Sequence, residues 1–422
     1  MWNSLLHRFL TALIRRGDLT LIYPDGTTHR YGDGSGPPVR GALHGNDIVR
    51  RLLLNPDLAA GEGYMDGLLT IEGDDLYAFM SMIKNMNGKG RNPALRRIVK
   101  GLRRFKRRMV QYNPAPKAQK NVAHHYDLSG ELYELFLDPD KQYSCAYFRR
   151  PEASLEEAQI DKKAHIARKL LIKPGMRVLD IGCGWGGMGL TLAREHGAHV
   201  VGVTLSKEQH AVATRRAKEA GLADRVEFRI QDYREVTGRF DRIVSVGMFE
   251  HVGVPHYHEY FAKVRELLAP DGVALIHTIG RMGPPGATNP WIAKYIFPGG
   301  YVPAMSEVTT VVEKEALMIT DVEVLRLHYA DTLKHWYSNF MRNIDRAREI
   351  YDERFCRMWR FYLVAAEMGF REGHQAVFQF QLAKQHGVVP MTREYLYAPE
   401  AAEPAPPPRP RRRTPRRKAE GA

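Results

Sequence analysis

The sequence predicts an α/β fold, namely a doubly wound, seven-stranded, Rossmann-like domain preceded by a smaller N-terminal α/β accessory domain. Three observations support this prediction. Apolar strand-like runs alternate with helical patterns from residue 178 onwards, the first run ends in a glycine-rich turn, and Pro-rich breaks divide the 422-residue chain. At this length the chain can hold one large domain or two ordinary ones.

The N-terminal region combines short helical patterns with turn clusters up to about residue 85. Residues 2–14 have the spacing of an amphipathic helix, and charged residues interrupt them, so we do not expect a signal peptide. The segment 61–67, Gly-Glu-Gly-Tyr-Met-Asp-Gly, has the composition of a compact turn. We interpret this region as an accessory domain, in preference to a direct part of the active site.

The formal charge of +14 is concentrated in two segments. Residues 89–108 carry ten basic residues and no acid, and residues 400–422 carry seven basic residues against three acidic ones. Apolar residues recur every three or four positions within 93–110, which predicts a basic amphipathic helix. Because Phe105 is the one aromatic residue among these basic residues, we favour an anionic membrane surface over nucleic acid, with a solvated linker as the third reading.

Cysteine content and hydropathy predict the cellular location of the protein. The three cysteines, Cys145, Cys183 and Cys356, are odd in number and show no C-x-x-C pairing, so neither disulfides nor a metal site is expected. No apolar run approaches the roughly 18 residues that a membrane span requires, so membrane contact would be peripheral. We expect a cytoplasmic protein associated with the inner face of the membrane.

The run Asn-Pro-Ala-Pro at 113–116 breaks the basic helix and is the predicted domain boundary. The predicted domains are therefore an accessory, lipid-binding domain at 1–112 and a catalytic domain at 113–398. Residues 399–422 are rich in Pro and Arg and predict a disordered basic tail.

Seven strands are predicted in the second domain, with helices between most of them, as a doubly wound sheet requires. The predicted strands lie near residues 178–181, 199–204, 226–230, 241–246, 273–279, 321–329 and 377–382. A helix at about 188–196 follows the glycine-rich turn and points its positive N-terminal end towards that turn.

The turn after the first strand contains Gly182, Gly184, Gly186 and Gly187, which we expect to adopt positive φ and to bring the backbone close to a ligand. The spacing satisfies G-x-G-x-x-G, so a dinucleotide-binding unit is one interpretation.

A dinucleotide site would place an acidic residue at the end of the second strand, but this strand ends at Thr204. The acid is instead Asp180, which precedes the glycines. This arrangement is typical of class I methyltransferases that use S-adenosylmethionine, so we favour that interpretation.

Further candidates lie at the carboxyl ends of later strands, where open α/β sheets bind ligands. Asp232 could accept from an adenine amino group and Tyr233 could stack on the ring, although Asp232 could equally be a turn residue. Glu250 and His277 follow adjacent strands, and a structural histidine is the alternative for His277. The Gly-, Pro- and aromatic-rich segment 281–303 predicts a lid over an apolar ligand.

Several of these motifs together resemble the bacterial cyclopropane-fatty-acyl-phospholipid synthases and the related mycolic acid cyclopropane synthases. They are the glycine-rich run, Gly-Val-Thr-Leu-Ser at 202–206, the segment 241–253, His-Thr-Ile-Gly at 277–280 and Lys-Tyr-Ile-Phe-Pro at 294–298. The likeness covers roughly residues 40–390. The segment 61–67 resembles the N-terminal domain of the phospholipid enzymes, which favours a phospholipid substrate.

The resemblance implies two sets of site residues. The cofactor S-adenosylmethionine would be bound by Tyr126, Tyr143, Ser144, Gly182, Gly184, Thr204, Gln209, Asp232 and Tyr233, in addition to Asp180. A bicarbonate ion would be bound through Cys145, Glu250, His277, Ile279 and Tyr329. Cys145 and Ile279 would act through backbone N–H groups, and relatives often carry a cysteine where this chain has Ala366.

The implied reaction joins a methyl group to a cis double bond, stabilises the carbocation that forms and removes a proton so that the ring closes. The implied partners are unsaturated phospholipids at an anionic membrane surface, with no nucleic acid, and a homodimer is compatible with the sequence. The alternatives are a lipid C-methyltransferase that gives a methyl branch or a methylene group, an RNA methyltransferase and a non-catalytic lipid-binding scaffold.

Overall fold

A computed structural model describes residues 1–86, 101, 111–112, 114 and 130–397. The predicted basic helix at 93–110 and the predicted tail at 399–422 lie outside these residues, apart from Gly101. The described residues up to 389 form one compact unit, and residues 390–397 belong to a second. The finer boundaries predicted at 112 and 398 stay predictions.

The N-terminal region is an α/β layer built on a four-stranded sheet of order β2-β1-β3-β4. Its strands are β1 (Asp18–Ile22), β2 (Thr28–Tyr31), β3 (Pro38–Leu43) and β4 (Leu69–Ile71), and its helices are α1 (Trp2–Leu13), α2 (Asn46–Leu54), α3 (Pro56–Met65) and α4 (Leu76–Asn85). Along β3 every second residue is buried, and the residues between them are exposed or, at Ala42, partly exposed. One face of the sheet is therefore available to face a core.

The second region contains the predicted seven-stranded sheet, in the order β10-β11-β9-β8-β5-β6-β7. Its strands are β5 (Arg177–Ile181), β6 (His199–Thr204), β7 (Val226–Ile230), β8 (Phe240–Val246), β9 (Leu268–Arg281), β10 (Met318–Leu325) and β11 (Gln375–Ala383). Each neighbouring pair is parallel except the two pairs that include β11. The strand order reverses direction at β5, which is the point where such sheets bind ligands.

Helices cover both faces of this sheet. They are α5 (Gly130–Glu134), α6 (Leu155–Leu170), α7 (Gly187–His196), α8 (Lys207–Glu219), α9 (Tyr257–Leu267), α10 (Pro290–Tyr295), α11 (Met305–Lys314), α12 (His328–Arg342), α13 (Ile344–Ile350) and α14 (Glu353–Arg371). A capping box begins α6, because Ser154 accepts from the Glu157 N–H and Glu157 accepts from the Ser154 N–H.

The predicted strand at 321–329 is wrong at its carboxyl end. The strand β10 ends at Leu325, and Tyr329 lies in the first turn of α12. The buried residues of this helix, which include Tyr329, Leu333, Trp336 and Phe340, recur at the three- and four-residue spacing of a helix. Because the helical spacing of buried residues already begins at Tyr329, the strand ends before this residue.

The two regions pack against each other through α3, α4 and α14. The Tyr77 hydroxyl donates to Glu367 Oε2 at 2.7 Å, and Arg357 Nε donates to the Tyr64 carbonyl at 2.5 Å. The Arg357 guanidinium also lies 4.2 Å from the centroid of the Tyr64 ring. The N-terminal region is therefore held on the second region by polar contacts as well as by apolar packing.

Within the described part of the chain, no helix has both the length and the apolar character needed to cross a membrane.

Candidate active site

The glycine-rich turn after β5 adopts the predicted backbone at three of its four glycines. The φ angle is +84° at Gly182, +54° at Gly184 and +85° at Gly186, a region that other residues rarely occupy. Gly187 does not have positive φ, because it begins α7, so the prediction for this residue is wrong. A Cβ atom at Gly187 would lie 2.2 Å from Gln142 Nε2, so a larger residue there would have to displace the Gln142 side chain.

A cavity of about 150 Å³, called the small cavity below, lies over this turn at the carboxyl ends of β5, β6 and β8. Nine of the ten residues predicted to bind the cofactor line it: Tyr143, Ser144, Asp180, Gly182, Gly184, Thr204, Gln209, Asp232 and Tyr233. The tenth, Tyr126, lies outside the described residues. The fold thus brings together residues that the sequence spreads over about ninety positions.

Polar side chains of the small cavity are held in place by one another. The Thr204 hydroxyl donates to Gln209 Oε1 at 2.9 Å. Arg234 donates to both oxygens of Asp232, at 2.9 and 2.7 Å. Burial opposes ionisation of Asp232, but the Arg234 bonds outweigh it and lower the pKa of this carboxyl group. Asp232 is therefore an oriented carboxylate at the cavity wall.

A larger cavity of about 580 Å³, called the large cavity, is enclosed jointly by the N-terminal region and the second region. The N-terminal region contributes mainly apolar walls, which include Leu10, Leu19, Val39, Leu69 and Met80. All five residues predicted to bind bicarbonate line the same cavity: Cys145, Glu250, His277, Ile279 and Tyr329. The accessory domain thus forms part of the cavity that contains the predicted catalytic residues, which the sequence interpretation did not foresee.

Glu250 is the most strongly perturbed acid of the large cavity. Its Oε1 atom accepts the Ile279 N–H at 2.6 Å, and its buried Oε2 atom has no hydrogen-bond partner among the described residues. Burial raises the pKa of the carboxyl group to about 7. Glu250 can therefore exchange a proton near neutral pH. The Ile279 N–H is engaged by Glu250, so its predicted contact with bicarbonate stays a prediction.

His277 lies on β9 opposite Gln379 of β11. Burial lowers the pKa of His277 to about 3, so the imidazole is neutral. Gln379 Nε2 lies 3.1 Å from His277 Nδ1, and with the amide nitrogen donating, the ring proton is on Nε2. Burial raises the pKa of the Cys145 thiol, whose Sγ lies 3.3 Å from the Ala146 carbonyl oxygen, so this side chain stays a thiol.

The two cavities share four lining residues, Tyr143, Ser144, Gly247 and His251. Burial lowers the pKa of His251 to about 4, so it is neutral where the cavities meet. The two cavities therefore adjoin at these four residues. Such an arrangement suits the transfer of a small group from a cofactor to an apolar substrate.

Residues 114–380 match the family model described as mycolic acid cyclopropane synthetase. The chain belongs to this family. Residues 5–89 match a separate model, described as a domain of unknown function. The family expected from the glycine-rich turn and the later motifs is thus confirmed, and the chain is an S-adenosylmethionine-dependent methyltransferase.

Related proteins support this membership over most of the chain. The cyclopropane-fatty-acyl-phospholipid synthase of Escherichia coli is 41% identical over 325 residues, which cover 77% of this chain and 82% of the relative. A tuberculostearic acid methyltransferase of Mycobacterium tuberculosis is 34% identical and covers 91% of both chains.

Solved structures of the family share the fold of the second region. The cyclopropane synthase MmaA2 from Mycobacterium tuberculosis is 36% identical with a TM-score of 0.61, and the match covers 65% of this chain and 99% of that one. The mycolic acid cyclopropane synthase CmaA1, solved in complex with SAH, is 34% identical with a TM-score of 0.60 over 64% of this chain and 99% of that one. The predicted seven-stranded class I methyltransferase fold is confirmed.

Sequence reasoning missed Lys162, a fully buried residue of α6. Its ammonium group donates to Gln142 Oε1 at 2.6 Å and to Ser144 Oγ at 2.8 Å. Burial lowers its pKa to about 8. A lysine spaced three to four residues from the buried Ala158, Gln159 and Ile166 is the sequence signal that could have found it.

The charge of Lys162 also acts on Asp180. Asp180 is buried, its Oδ2 atom has no hydrogen-bond partner among the described residues, and burial raises its pKa to about 7, against the influence of Lys162. Because an ammonium group has donors only, the oxygens of Gln142 and Ser144 must accept from Lys162. The Ser144 proton is then free to be donated elsewhere, at the junction of the two cavities.

Proposed function

We propose that this enzyme transfers a methylene group from S-adenosylmethionine to the cis double bond of unsaturated acyl chains in membrane phospholipids and so forms cyclopropane fatty acids. The observation that carries the proposal is the junction of the two cavities at Tyr143, Ser144, Gly247 and His251. There the small cavity, at the switch point of the sheet, adjoins a mainly apolar cavity large enough for a lipid chain.

The cofactor would be held by the small cavity. S-adenosylmethionine supplies an electrophilic methyl group, and the protein's part is to place it at the junction. Gly184 fits this role, because a Cβ atom there would meet no protein atom within 4 Å and would instead occupy open space beside the turn. Asp232, oriented by Arg234, is positioned to accept from an adenine amino group, and Tyr233 lies beside it in the cavity wall. The proposal also includes Tyr126 as a cofactor-binding residue, although Tyr126 lies outside the described residues.

The large cavity would bind the bicarbonate ion. The unpartnered Glu250 Oε2 and the neutral His277 ring are groups that can share a proton with, or donate to, a small oxyanion. Bicarbonate bound there would supply a base for the proton that leaves the transferred methyl group. Glu250 would hold it through the free oxygen, and Tyr329 lies in the same wall. The surrounding apolar side chains would keep water away from the carbocation.

A phospholipid substrate is supported by the N-terminal region, whose residues form one wall of the large cavity. The relative named as a phospholipid enzyme aligns with 77% of this chain. The relative named cyclopropane mycolic acid synthase 3 aligns with 63% of this chain, although that is 96% of its own length. The longer match to the phospholipid enzyme favours the phospholipid class.

An anionic membrane surface would be the partner of the basic segment at 89–108. Met86 lines the large cavity, and the basic segment begins three residues later in the sequence. A membrane held by this segment would thus lie beside the cavity that receives the acyl chain. Each Lys or Arg near such a surface contributes about 1 kcal/mol.

Vesicle co-sedimentation tests the membrane proposal. Changing Arg103, Arg104, Arg107 and Arg108 together to Glu should weaken binding to anionic vesicles by roughly 10² or more, and added salt should weaken the wild type. Neutral vesicles serve as the control. Unchanged binding by the variant would move the membrane contact to the N-terminal domain.

A second candidate is a lipid C-methyltransferase that gives a methyl-branched or methylene product. It is favoured by the relative named tuberculostearic acid methyltransferase, which covers 91% of the chain. Mass spectrometry of lipids from a host that lacks such enzymes separates the products. A cyclopropane product gains CH₂ and loses the olefin, a methylene product gains CH₂ and keeps an olefin, and a methyl branch gains CH₂ and two hydrogens. Gly184→Val is the control without product.

A further inference from the structure

Glu62 lies at the contact between the N-terminal region and the segment that covers the large cavity. It belongs to α3 and is 6% exposed. Its Oε1 atom accepts from Lys294 Nζ at 2.6 Å and from the Tyr295 hydroxyl at 2.8 Å. Its Oε2 atom accepts from Arg51. A buried carboxylate is thus satisfied by two cations and a hydroxyl, and two of these three donors belong to α10.

The helix α10 is part of residues 288–302, which we call the lid. The lid lines the large cavity with Thr288, Asn289, Trp291, Ile292, Phe297, Gly300, Tyr301 and Val302. Asn289 caps α10 by accepting from the Trp291 N–H at 2.8 Å. The aromatic segment that the sequence predicts as a lid therefore lies on the cavity.

A second contact joins the same two elements independently of charge. A Cβ atom on Gly61 would lie 2.4 Å from the Trp291 ring, so α3 and the lid approach as closely as glycine allows. The Trp291 indole N–H donates to the Met65 sulfur at 3.1 Å. The surfaces of α3 and α10 are therefore closely fitted, with Glu62 beside this packed contact.

The other end of the lid contacts the catalytic residues. The Tyr301 N–H donates to the Glu250 carbonyl at 2.9 Å. The Phe297 ring lies 6.0 Å from that of His251 and 5.9 Å from that of Tyr362. The lid thus connects Glu62, in the N-terminal region, to Glu250, in the second region.

We propose that Glu62 is a positioning residue that holds the lid closed over the large cavity and thereby excludes water from the carbocation formed after methyl transfer. This inference rests on the proposed function. With the lid held, the cation loses a proton from the new methyl group and the ring closes. With the lid released, water adds to the cation through its oxygen and loses a proton to solvent. The lipid then becomes a methyl-branched alcohol that has gained CH₂ and H₂O, and the cofactor leaves as S-adenosylhomocysteine in both cases.

The test compares Glu62→Gln and Glu62→Ala with the wild type, using anionic vesicles of unsaturated phospholipid as substrate. The ratio of hydroxylated to cyclopropane lipid should rise roughly ten-fold or more, because hydrogen bonds to a charged group each carry about a ten-fold change in an equilibrium. The affinity for S-adenosylhomocysteine should stay within about two-fold, because Glu62 does not line the small cavity. A purely structural defect would instead lower both products in proportion.

Tyr77→Phe is the matched control. It removes one hydrogen bond between the same two regions, the one to Glu367, without touching the lid. Its product ratio should equal that of the wild type. Hydrogen–deuterium exchange gives a readout that needs no turnover, since peptides covering residues 288–302 should exchange faster in Glu62→Gln and at the wild-type rate in Tyr77→Phe.

Should the Glu62 variants fail to fold, Lys294→Met and Tyr295→Phe remove the donors from the lid side, where the Lys294 side chain is 56% exposed. A wild-type product ratio and wild-type lid exchange in folded variants would overturn the role of Glu62. A wild type that forms no lipid product with gained CH₂ would instead overturn the proposed function.

Discussion

The small cavity and the large cavity are built from very different parts of the chain. Residues that line the small cavity all lie between Lys141 and Val252, whereas those that line the large cavity range from Leu10 to Gln375. Each cavity contains a buried carboxyl group whose pKa is raised to about 7, Asp180 in the small one and Glu250 in the large one. The charge of Lys162 partly offsets the effect of burial on the pKa of Asp180, whereas Glu250 accepts a backbone N–H.

Under the proposed function, cofactor binding and proton removal would depend on separate groups that lie on either side of one junction. A local cavity with mutually bonded side chains favours a preorganised binding site. A cavity assembled from distant segments can have different lining residues for different substrates while the residues of the cofactor site stay the same. Substitutions in one cavity should therefore change either the affinity for the cofactor or the rate of turnover, but not both.

The largest effect is expected for Glu250→Gln. Turnover should fall by at least about 10², the contribution that a positioned proton acceptor commonly makes, while the affinity for S-adenosylhomocysteine stays within a few-fold. Turnover on vesicles and titration calorimetry measure the two quantities. Parallel losses in both would mean that the cavities are not separate in function.

Removing dissolved carbonate from the wild-type assay sharpens the same comparison. The rate should fall, and added bicarbonate should restore it, if the ion binds beside Glu250. Full activity without carbonate would make a side chain the base, and His277 is then the first candidate.

The pH dependence of stability should differ between Glu250→Gln and the wild type. Because the pKa of Glu250 is raised from 4.5 to about 7, its protonated form stabilises the fold below the lower value, and this stability is lost as the pH rises through the higher one. Glutamine does not titrate, so the variant should gain up to about 3 kcal/mol relative to the wild type between about pH 5 and pH 8.

Thermal unfolding of both proteins across this range measures that difference. The lowered pKa values of His251 and His277 act in the opposite direction, but they are present in both proteins and largely cancel. Parallel curves would show that Glu250 is already ionised in the folded protein.

A smaller effect is expected for Lys162→Met, which lies behind Gln142 and Ser144 of the small cavity. Gln142 and Ser144 would lose a charged donor, so the affinity for S-adenosylhomocysteine should fall roughly ten-fold. Lys169→Met is the matched control, because Lys169 is a fully buried lysine of the same helix that pairs with Glu323. An equal loss of affinity in both variants would indicate general destabilisation.

The smallest effect is expected for Arg234→Met, which frees the Asp232 carboxylate without removing it. Affinity for S-adenosylhomocysteine should fall by a few-fold, because the acid loses its fixed orientation but not its charge. Asp232→Asn should cost more than Arg234→Met if the carboxylate itself contacts the cofactor. The reverse order, measured by calorimetry, would assign that contact to Arg234.

Local patterns were sufficient to predict the sheet and the glycine-rich turn. The predicted strands at 199–204 and 226–230 match β6 and β7, and positive φ is found at Gly182, Gly184 and Gly186. Such features depend on neighbours in the sequence, because apolar runs form buried strands and only glycine adopts these turns readily. The strand predicted to reach Tyr329 failed where a helical spacing overlapped the end of the strand pattern.

The sequence by itself determined the fold class and the family, because their signals are contiguous motifs at strand ends. Through the family resemblance it also predicted nine residues that line the small cavity. Only the tertiary structure decided that the N-terminal region encloses the large cavity, that Lys162 lies beside Ser144 and that Glu62 contacts the lid. The bond between Glu62 and Lys294 joins residues 232 positions apart. No local pattern encodes such a contact, because folding must first bury the Glu62 carboxylate and bring the distant Lys294 ammonium group to it.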